Sequence, residues 1–233
     1  MKTTDRGIFL HRLAYSDTSL IITFLTKSSG LKKFIFKGGK KKAHSLFPMS
    51  IGELSFYDRK ESSLLQLTAV DPATSHQFQF DPIKSTIAFF LAEVIRKCVH
   101  QDEVDSTCYD FIEQKVEELD ASEDYQYFPI NFLVDFTEIL GVQPYVKNDS
   151  GPYFNLDEGT FESHSRIDLR EASGAPADLI RNRILGNGTV DYTRMDREQA
   201  LETMLDYYRI HIPNFGVLDS YEIVKEILHA KKT

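Results

Sequence analysis

Three runs near the start of this 233-residue chain indicate its fold: GIFLHRLAY (7–15), SLIITFLTK (19–27) and LKKFIFK (31–37). Each run is short and rich in β-branched and aromatic residues, and turn residues separate the three. The second run is joined to the third by Ser28-Ser29-Gly30, and a three-residue connection containing Gly is typical of a β-hairpin. The three runs therefore predict consecutive antiparallel strands.

Two further strands are predicted at 51–57 and 64–70, on either side of a polar stretch. Five short strands within about 70 residues, with no helical period among the first three, are typical of a small antiparallel barrel. A five-stranded OB-like barrel is the expected form.

The third strand can be divided into two faces because successive strand side chains point to opposite sides. Phe34 and Phe36 share one face, and we expect them inside the barrel. Lys33, Ile35 and Lys37 share the other face, so the two lysines are expected outside. The paired glycines 38–39 follow, and they predict that the lysine triplet 40–42 lies on a mobile loop.

After residue 81 the apolar residues recur every three or four positions, which predicts helices. Asp81 is a candidate N-cap with Pro82 in the first turn. Later helices are predicted at 105–120, 127–140, 176–185, 196–211 and 220–230, with an irregular insert at 142–175 that contains a hairpin arm at 153–159. The fold class is α+β: an OB-fold domain at 1–80 and a helical domain at 81–233, hinged near 71–81.

The charge of the chain is divided unevenly between these two parts. Residues 1–70 hold 12 Lys and Arg against 5 Asp and Glu, a net charge of +7, whereas residues 71–233 hold 15 against 30, a net charge of −15. A basic module within an acidic chain indicates a polyanionic partner, although a solubilising surface loop is the alternative. The candidate phosphate-binding residues are Arg12, Lys32, Lys33, Lys37, Lys40, Lys41 and Lys42. Tyr15, near a strand end, is the candidate for base stacking.

An acidic run at 102–124 holds ten Asp and Glu residues against Lys115 alone. Such a run usually forms the solvated face of a helix. The alternatives are a surface for a basic partner, or one that repels DNA and confines it to the barrel.

The sequence offers no pattern for catalysis, cofactor or metal. Cys98 and Cys108 are ten residues apart on separate predicted helices and the histidines are scattered, so no zinc site is predicted. Gly38-Gly39-Lys40 lacks the first Gly and the hydroxyl residue of a P-loop, and no hydrolase nucleophile motif occurs. No apolar run is long enough to span a membrane, and two cysteines are typical of a reduced, cytoplasmic protein.

Several motifs, in this order and spacing, resemble the RecO family of bacterial DNA repair and recombination mediators. The opening GIFLHR (7–12) and YSDTSLI (15–21), and the basic segment KGGK (37–40), are similar to its first strands and loop. FP (47–48), ELSFY (53–57), LGVQP (140–144), YFNLDEG (153–159), LDYYR (205–209) and PNFG (213–216) are similar to its later parts. The resemblance covers nearly the whole chain.

The resemblance implies an N-terminal OB fold, a helical C-terminal domain and a cytoplasmic, nucleoid-associated protein. It also implies binding to single- and double-stranded DNA, annealing of complementary strands, and cooperation with RecR to load RecA on DNA coated by single-strand-binding protein. Many relatives carry a four-cysteine zinc site before the Tyr-Phe segment, but residues 145–152 contain no Cys. We therefore expect a zinc-free variant whose middle segment is held by packing of Tyr153, Phe154 and Phe161.

Three functions thus remain to be compared. The first is a non-enzymatic DNA-binding mediator. The second is a protein-interaction adaptor whose basic loop contacts an acidic partner. The third is a nuclease or other phosphate-processing enzyme, which the lack of a recognisable ligand cluster disfavours.

Overall fold

A computed structural model describes residues 2–43, 46–57, 64–73, 75–101, 104–123, 125–147, 151–166, 170–188 and 190–228. The contacts divide the chain into two compact units, Met1–Glu123 with Leu218–Val224, and Asp124–Val217 with Lys225–Thr233. The first unit therefore contains the predicted barrel together with the two helices that follow it. The domain boundary after residue 80 and the hinge at 71–81 stay predictions.

A closed five-stranded barrel forms the first part of this unit, as the sequence predicts. Its strands are β1 (Lys2–Ala14), β2 (Leu20–Thr26), β3 (Gly30–Phe36), β4 (Ile51–Tyr57) and β5 (Leu65–Pro72). They follow the order β1-β2-β3-β5-β4, and β4 pairs with β1 to close the barrel. Strands β3 and β5 run parallel, and the other neighbours are antiparallel.

Phenylalanine rings fill the barrel, which has no tryptophan to use. Phe9, Phe24, Phe34 and Phe56 form a line of edge-to-face contacts with ring centroids 5.6, 6.0 and 5.1 Å apart. This geometry is favourable for aromatic quadrupoles and adds to the burial of apolar area. The line determines which face of β3 is inside, because Phe34 on that strand contacts rings from β2 and β4.

The helical elements of the first unit are α1 (Gly39–Lys42), a 3-10 turn at Phe78–Phe80, α2 (Pro82–Cys98) and α3 (Ser106–Ala121). The two long helices, α2 and α3, begin at aspartate N-caps. The Asp81 carboxylate accepts hydrogen bonds from the backbone N–H groups of Ile83 at 2.8 Å and Lys84 at 3.0 Å. This confirms the predicted N-cap, a contact that contributes about 1 kcal/mol to helix stability.

The second unit combines helices with a small sheet. Its elements are α4 (Phe128–Ile139), β6 (Tyr153–Asn155), β7 (Thr160–Glu162), β8 (Glu171–Ala172), α5 (Ala175–Ile184) and α6 (Arg194–His211). The last helix, α7 (Tyr221–Leu228), begins in the first unit. The sheet has the order β7-β6-β8. The predicted hairpin arm is confirmed: β6 and β7 pair antiparallel, and Gly159 in their turn has a φ of 66°. The α+β class is confirmed as well.

Candidate nucleic-acid interface

The lysine triplet lies on α1, a short helix that covers one end of the barrel. The prediction of a mobile loop here is wrong. Gly38 adopts a left-handed conformation, with a φ of 68°, and the chain then turns into the helix. Gly39 is buried so closely that a Cβ atom there would lie 3.1 Å from Phe36 and 3.3 Å from Leu20. The two glycines therefore allow a tight turn and a close approach, which fix the lysines to the barrel.

The hairpin between β1 and β2 is bound to this helix by two hydrogen bonds. The Arg12 guanidinium donates from Nη1 to the carbonyl oxygen of Ala43, just after α1, at 2.9 Å. The backbone N–H of Lys40 donates to the carbonyl oxygen of Thr18 at 3.2 Å. These contacts place Arg12 beside the lysine triplet, as the prediction of an extended basic track requires.

Strand β3 adds Lys33 from its outer face, and Lys37 follows directly after the strand. Phe34 and Phe36 are inside the barrel, with 0% and 3% of their surface exposed, and Lys33 and Lys37 are exposed. The predicted division of this strand is confirmed. Four residues of extended chain span about 13 Å, so Lys33 and Lys37 can contact separate phosphates. Lys37 directly precedes the turn into α1.

Lys32 differs from the other candidates. It is half-buried, pairs across the ladder with Phe24 and lies near the β2–β3 turn, far along β3 from α1. The strand alternation puts it on the same side of β3 as Phe34. The remaining candidates, called the basic surface below, are Arg12, Lys33, Lys37, Lys40, Lys41 and Lys42.

An outward apolar row crosses the strands beside the basic surface. Leu13 pairs with Ile21, and Ile21 pairs with Ile35. Leu13 is 57% exposed, and the two isoleucines are half-buried. Tyr15, two residues beyond Leu13, is also 57% exposed. The sequence predicted that Ile35 lies outside, but it did not single out Leu13 and Ile21. Leu20 and Ile22 are both in the core, so strand alternation indicates that Ile21 between them points outward.

A second group of basic residues, Arg6 and Lys27, is bound to the acidic helix α3. Arg6 Nε donates to Glu113 Oε1 at 2.7 Å, and Lys27 Nζ lies 3.1 Å from Asp110 Oδ1. The hydrogen bond that Arg6 donates to Glu113 raises the pKa of Arg6 above its usual value. The predicted acidic run is therefore more than a solvated face, since several of its carboxylates hold α3 on the barrel.

Ion pairing distinguishes the basic surface from Arg6 and Lys27, which are called the docked pair below. Within the described residues, no ion pair is formed by Lys33, Lys37 or Lys40. Lys42 instead lies over the ring of Phe36, with Nζ 5.7 Å from the ring centroid. Positive charge is thus available at the α1 end of the barrel, whereas it is neutralised at Arg6 and Lys27.

Comparison with known proteins gives the family. The model for the N-terminal part of recombination protein O matches residues 1–76, and the model for the C-terminal part matches residues 79–216. The chain belongs to the RecO family. The resemblance of the motifs to this family, and the fold expected from it, are confirmed.

Curated RecO relatives match the chain almost from end to end. Those named DNA repair protein RecO include one from Flavobacterium psychrophilum, 27% identical over 97% of this chain and 99% of its own length. Another, from Bacteroides fragilis, is 28% identical over 95% and 97% of the two chains. One from Porphyromonas gingivalis is 25% identical over 97% and 99%.

In this RecO-family chain, the segment after α4 is held by aromatic packing. The rings of Phe154 and Phe161 stack with centroids 4.8 Å apart and an interplanar angle of 13°, and Tyr207 of α6 lies 5.5 Å from Phe154. Tyr207 also donates a hydrogen bond from its hydroxyl to the carbonyl oxygen of Val142 at 2.8 Å. The predicted packing of Phe154 and Phe161 is confirmed, whereas Tyr153 is half-buried.

No metal-ligand cluster is found where the RecO-family structure is described. Among those residues, no three His, Cys, Asp or Glu side chains come together to hold an ion. Cys98 and Cys108 are both buried, and burial raises the pKa of the Cys98 thiol well above its usual value. A buried, protonated thiol is a poor nucleophile and a poor metal ligand. None of the described helices is long and apolar enough to cross a membrane.

Proposed function

We propose that this protein is a non-enzymatic DNA repair and recombination mediator that binds DNA on the α1 end of its barrel. The observation that carries the proposal is the basic surface itself. The Arg12–Ala43 and Lys40–Thr18 hydrogen bonds connect Arg12 and its hairpin with α1, which follows Lys33 and Lys37 in the chain. The names of the family and of the relatives support a role in DNA repair.

The basic surface suits a nucleic-acid backbone. Lysine and arginine side chains bind phosphates and release condensed counterions, and this contribution is independent of sequence. OB folds commonly bind nucleic acid on the face around strands 2 and 3. Here that face carries Lys33 and Lys37 beside the apolar row of Leu13, Ile21 and Ile35. We infer that phosphates contact the lysines while unpaired bases pack on the apolar row and on Tyr15.

Such a surface also supports strand annealing. Two complementary single strands repel each other through their phosphates, and a positive surface that holds both lowers this repulsion. Double-stranded DNA is bound by the same phosphate contacts but cannot place its stacked bases on Tyr15. The protein is therefore expected to bind both forms and to gain additional contacts from single strands.

Family membership further supports three protein partners. We propose that the protein works with RecR in the bacterial cytoplasm to load RecA on DNA coated by single-strand-binding protein. No cofactor is needed for this function, because binding and annealing require only positioned charge.

The test is the salt dependence of DNA binding. A fluorescein-labelled oligothymidylate of 30 nucleotides is titrated with the protein at 50–300 mM NaCl, and anisotropy is measured. If about 3–5 phosphates are neutralised, log K falls against log[salt] with a slope of about −2 to −3.5. A slope near zero, or tight binding of polyglutamate with none of the oligonucleotide, would overturn the proposal in favour of an adaptor for acidic proteins.

A further inference from the structure

A cavity of about 380 Å³ opens against the side of the barrel, between β4, β5 and the chain segments around residues 47 and 78. None of the basic-surface residues lines it. Its wall is mainly apolar, and its polar atoms come from a few side chains. The main lining residues are Phe47, Ile51, Val70, Pro72, His76 and Phe78. The cavity is large enough to take one amino-acid side chain.

Exposed aromatic residues surround this cavity. Phe80, which lines it, is 74% exposed, and Phe89 on α2 is 50% exposed. Phe47 connects the two regions: its ring lies edge-to-face on Phe89 at 5.2 Å and on Phe78 at 6.1 Å. Clustered exposed aromatics are unusual on a soluble surface and are enriched in protein–protein interfaces.

A buried histidine in the cavity wall has an incomplete set of hydrogen bonds. His76 is 4% exposed, and its Nε2 lies 3.1 Å from Glu117 Oε1. Because a carboxylate can only accept, Nε2 donates this hydrogen bond. Among the described residues Nδ1 has no partner. Buried polar atoms are nearly always hydrogen-bonded, so His76 Nδ1 is a polar group in the wall that a bound molecule could reach.

The edge of the cavity is acidic. Glu117, which contacts His76, is 55% exposed, and Asp71 directly precedes Pro72 in the lining. Arg6 and Lys84, two basic residues of the same unit, are already bound: Arg6 to Glu113 at 2.7 Å, and Lys84 to the carbonyl oxygen of Asp120 at 2.7 Å. Phosphates would be repelled here, whereas lysine or arginine would be attracted.

We propose that this cavity is a docking site for a basic peptide segment of a partner protein. One large apolar side chain of the segment fills the cavity against Phe47, Phe78 and Phe80. A neighbouring lysine or arginine contacts Glu117 and Asp71. The site is independent of the DNA-binding surface, so the protein can hold DNA and a partner on different parts of the first unit.

The test uses the full chain and short labelled peptides of defined sequence. The probe is a lysine-rich heptapeptide with one central phenylalanine, and its binding is followed by fluorescence anisotropy at 50 mM NaCl. Saturable binding is expected. Phe80→Ala should weaken it about tenfold, as expected for an aromatic hot spot, and Glu117→Gln about threefold. Met195→Ala, which removes a side chain that is 67% exposed in the other unit, is the matched control and should change nothing.

Two further peptides provide the opposing outcomes. The same peptide with alanine in place of phenylalanine, or with glutamate in place of lysine, should bind at least about tenfold more weakly. Equal binding of either peptide, or no effect of Phe80→Ala, would overturn the proposal. Phe80→Ala should leave the salt slope of DNA binding unchanged, so a failure here is distinguishable from a failure of the proposed DNA binding.

Discussion

Two groups of positive charge on the same barrel have opposite surroundings. Arg6 and Lys27 are bound to Glu113 and Asp110 on α3. In the basic surface, Lys33, Lys37 and Lys40 form no ion pair within the described residues. Both groups count toward the net charge of +7 in residues 1–70, with two cations in the first group and six in the second. Only the second group contributes to the field that an approaching phosphate meets.

The positive charges of one barrel can therefore serve two purposes. A salt bridge between barrel and helix stabilises the unit and neutralises the cation that forms it. An exposed lysine without an acidic neighbour contributes little to stability but can release counterions from DNA. Substitutions in the two groups should therefore separate stability from DNA binding.

The largest expected effect comes from reversing the charge of α1. The triple substitution Lys40→Glu, Lys41→Glu and Lys42→Glu should weaken binding of single-stranded DNA at least about a hundredfold at 50 mM salt. The salt slope should become less steep by about 2, since each lost phosphate contact removes about 0.7. Anisotropy titrations at several salt concentrations measure both quantities.

Lys2→Glu is the control for this triple variant, because Lys2 is exposed and lies at the opposite end of β1 from the hairpin. Its affinity should change less than twofold. If the triple variant bound DNA as the unchanged protein does, while remaining folded by circular dichroism, α1 would have no part in the interface.

The docked pair should show the reverse behaviour. Arg6→Gln breaks the hydrogen bond to Glu113 and should lower the free energy of unfolding by about 1 kcal/mol, a modest value because the Arg6 side chain is 36% exposed. DNA affinity should change less than twofold. Urea unfolding measures the first quantity and anisotropy the second. A double-mutant cycle with Glu113→Gln should give a coupling energy of similar size. A loss of DNA affinity without a loss of stability would contradict the division between cations that stabilise the unit and cations that bind DNA.

The two adjacent lysines of β3 allow a finer comparison. Lys33→Ala should weaken DNA binding about threefold and reduce the salt slope by about 0.7, because Lys33 is exposed on the outer face. Lys32→Ala should have a smaller effect, since Lys32 is half-buried on the other face. Equal losses from the two variants would show that DNA follows both sides of the strand.

The alternation of residues predicted β3 well, because the inside and outside of a strand are set by neighbours two positions away. Phe34 and Phe36 are in the core and Lys33 is outside, as expected. The prediction failed at the next residues, where the glycine pair was interpreted as a source of mobility. Gly38 provides a positive φ and Gly39 a close approach to Phe36, and only the packed barrel shows that both are needed.

The ion pairs of Arg6 and Lys27 with α3 could not be predicted from the sequence, for a different reason. Arg6 and Glu113 are 107 residues apart, so their contact depends on how α3 packs on the barrel. Charge counts over a window of sequence cannot detect such a contact. The candidate list omitted Arg6 and Lys27 because neither lies in a dense run of lysines, and their ion pairs are consistent with that omission.

His11 offers the smallest and most discriminating test, because it lies next to Arg12 and pairs across the ladder with Thr23, which in turn pairs with Lys33. Partial burial lowers the pKa of His11 below its usual 6.5, and the charge of Arg96 lowers it further. The ring is therefore neutral from pH 7 to 8.5 and adds nothing to the basic surface. DNA phosphates favour the protonated ring, so affinity should begin to rise only as the pH falls below about 6.5. His11→Gln should leave affinity unchanged within about 1.5-fold above pH 7 and should remove part of the rise at pH 5.5–6. A steep change of DNA affinity between pH 8 and 7 that His11→Gln abolished would contradict this. His11 would then carry positive charge in the basic surface and would belong with the available cations.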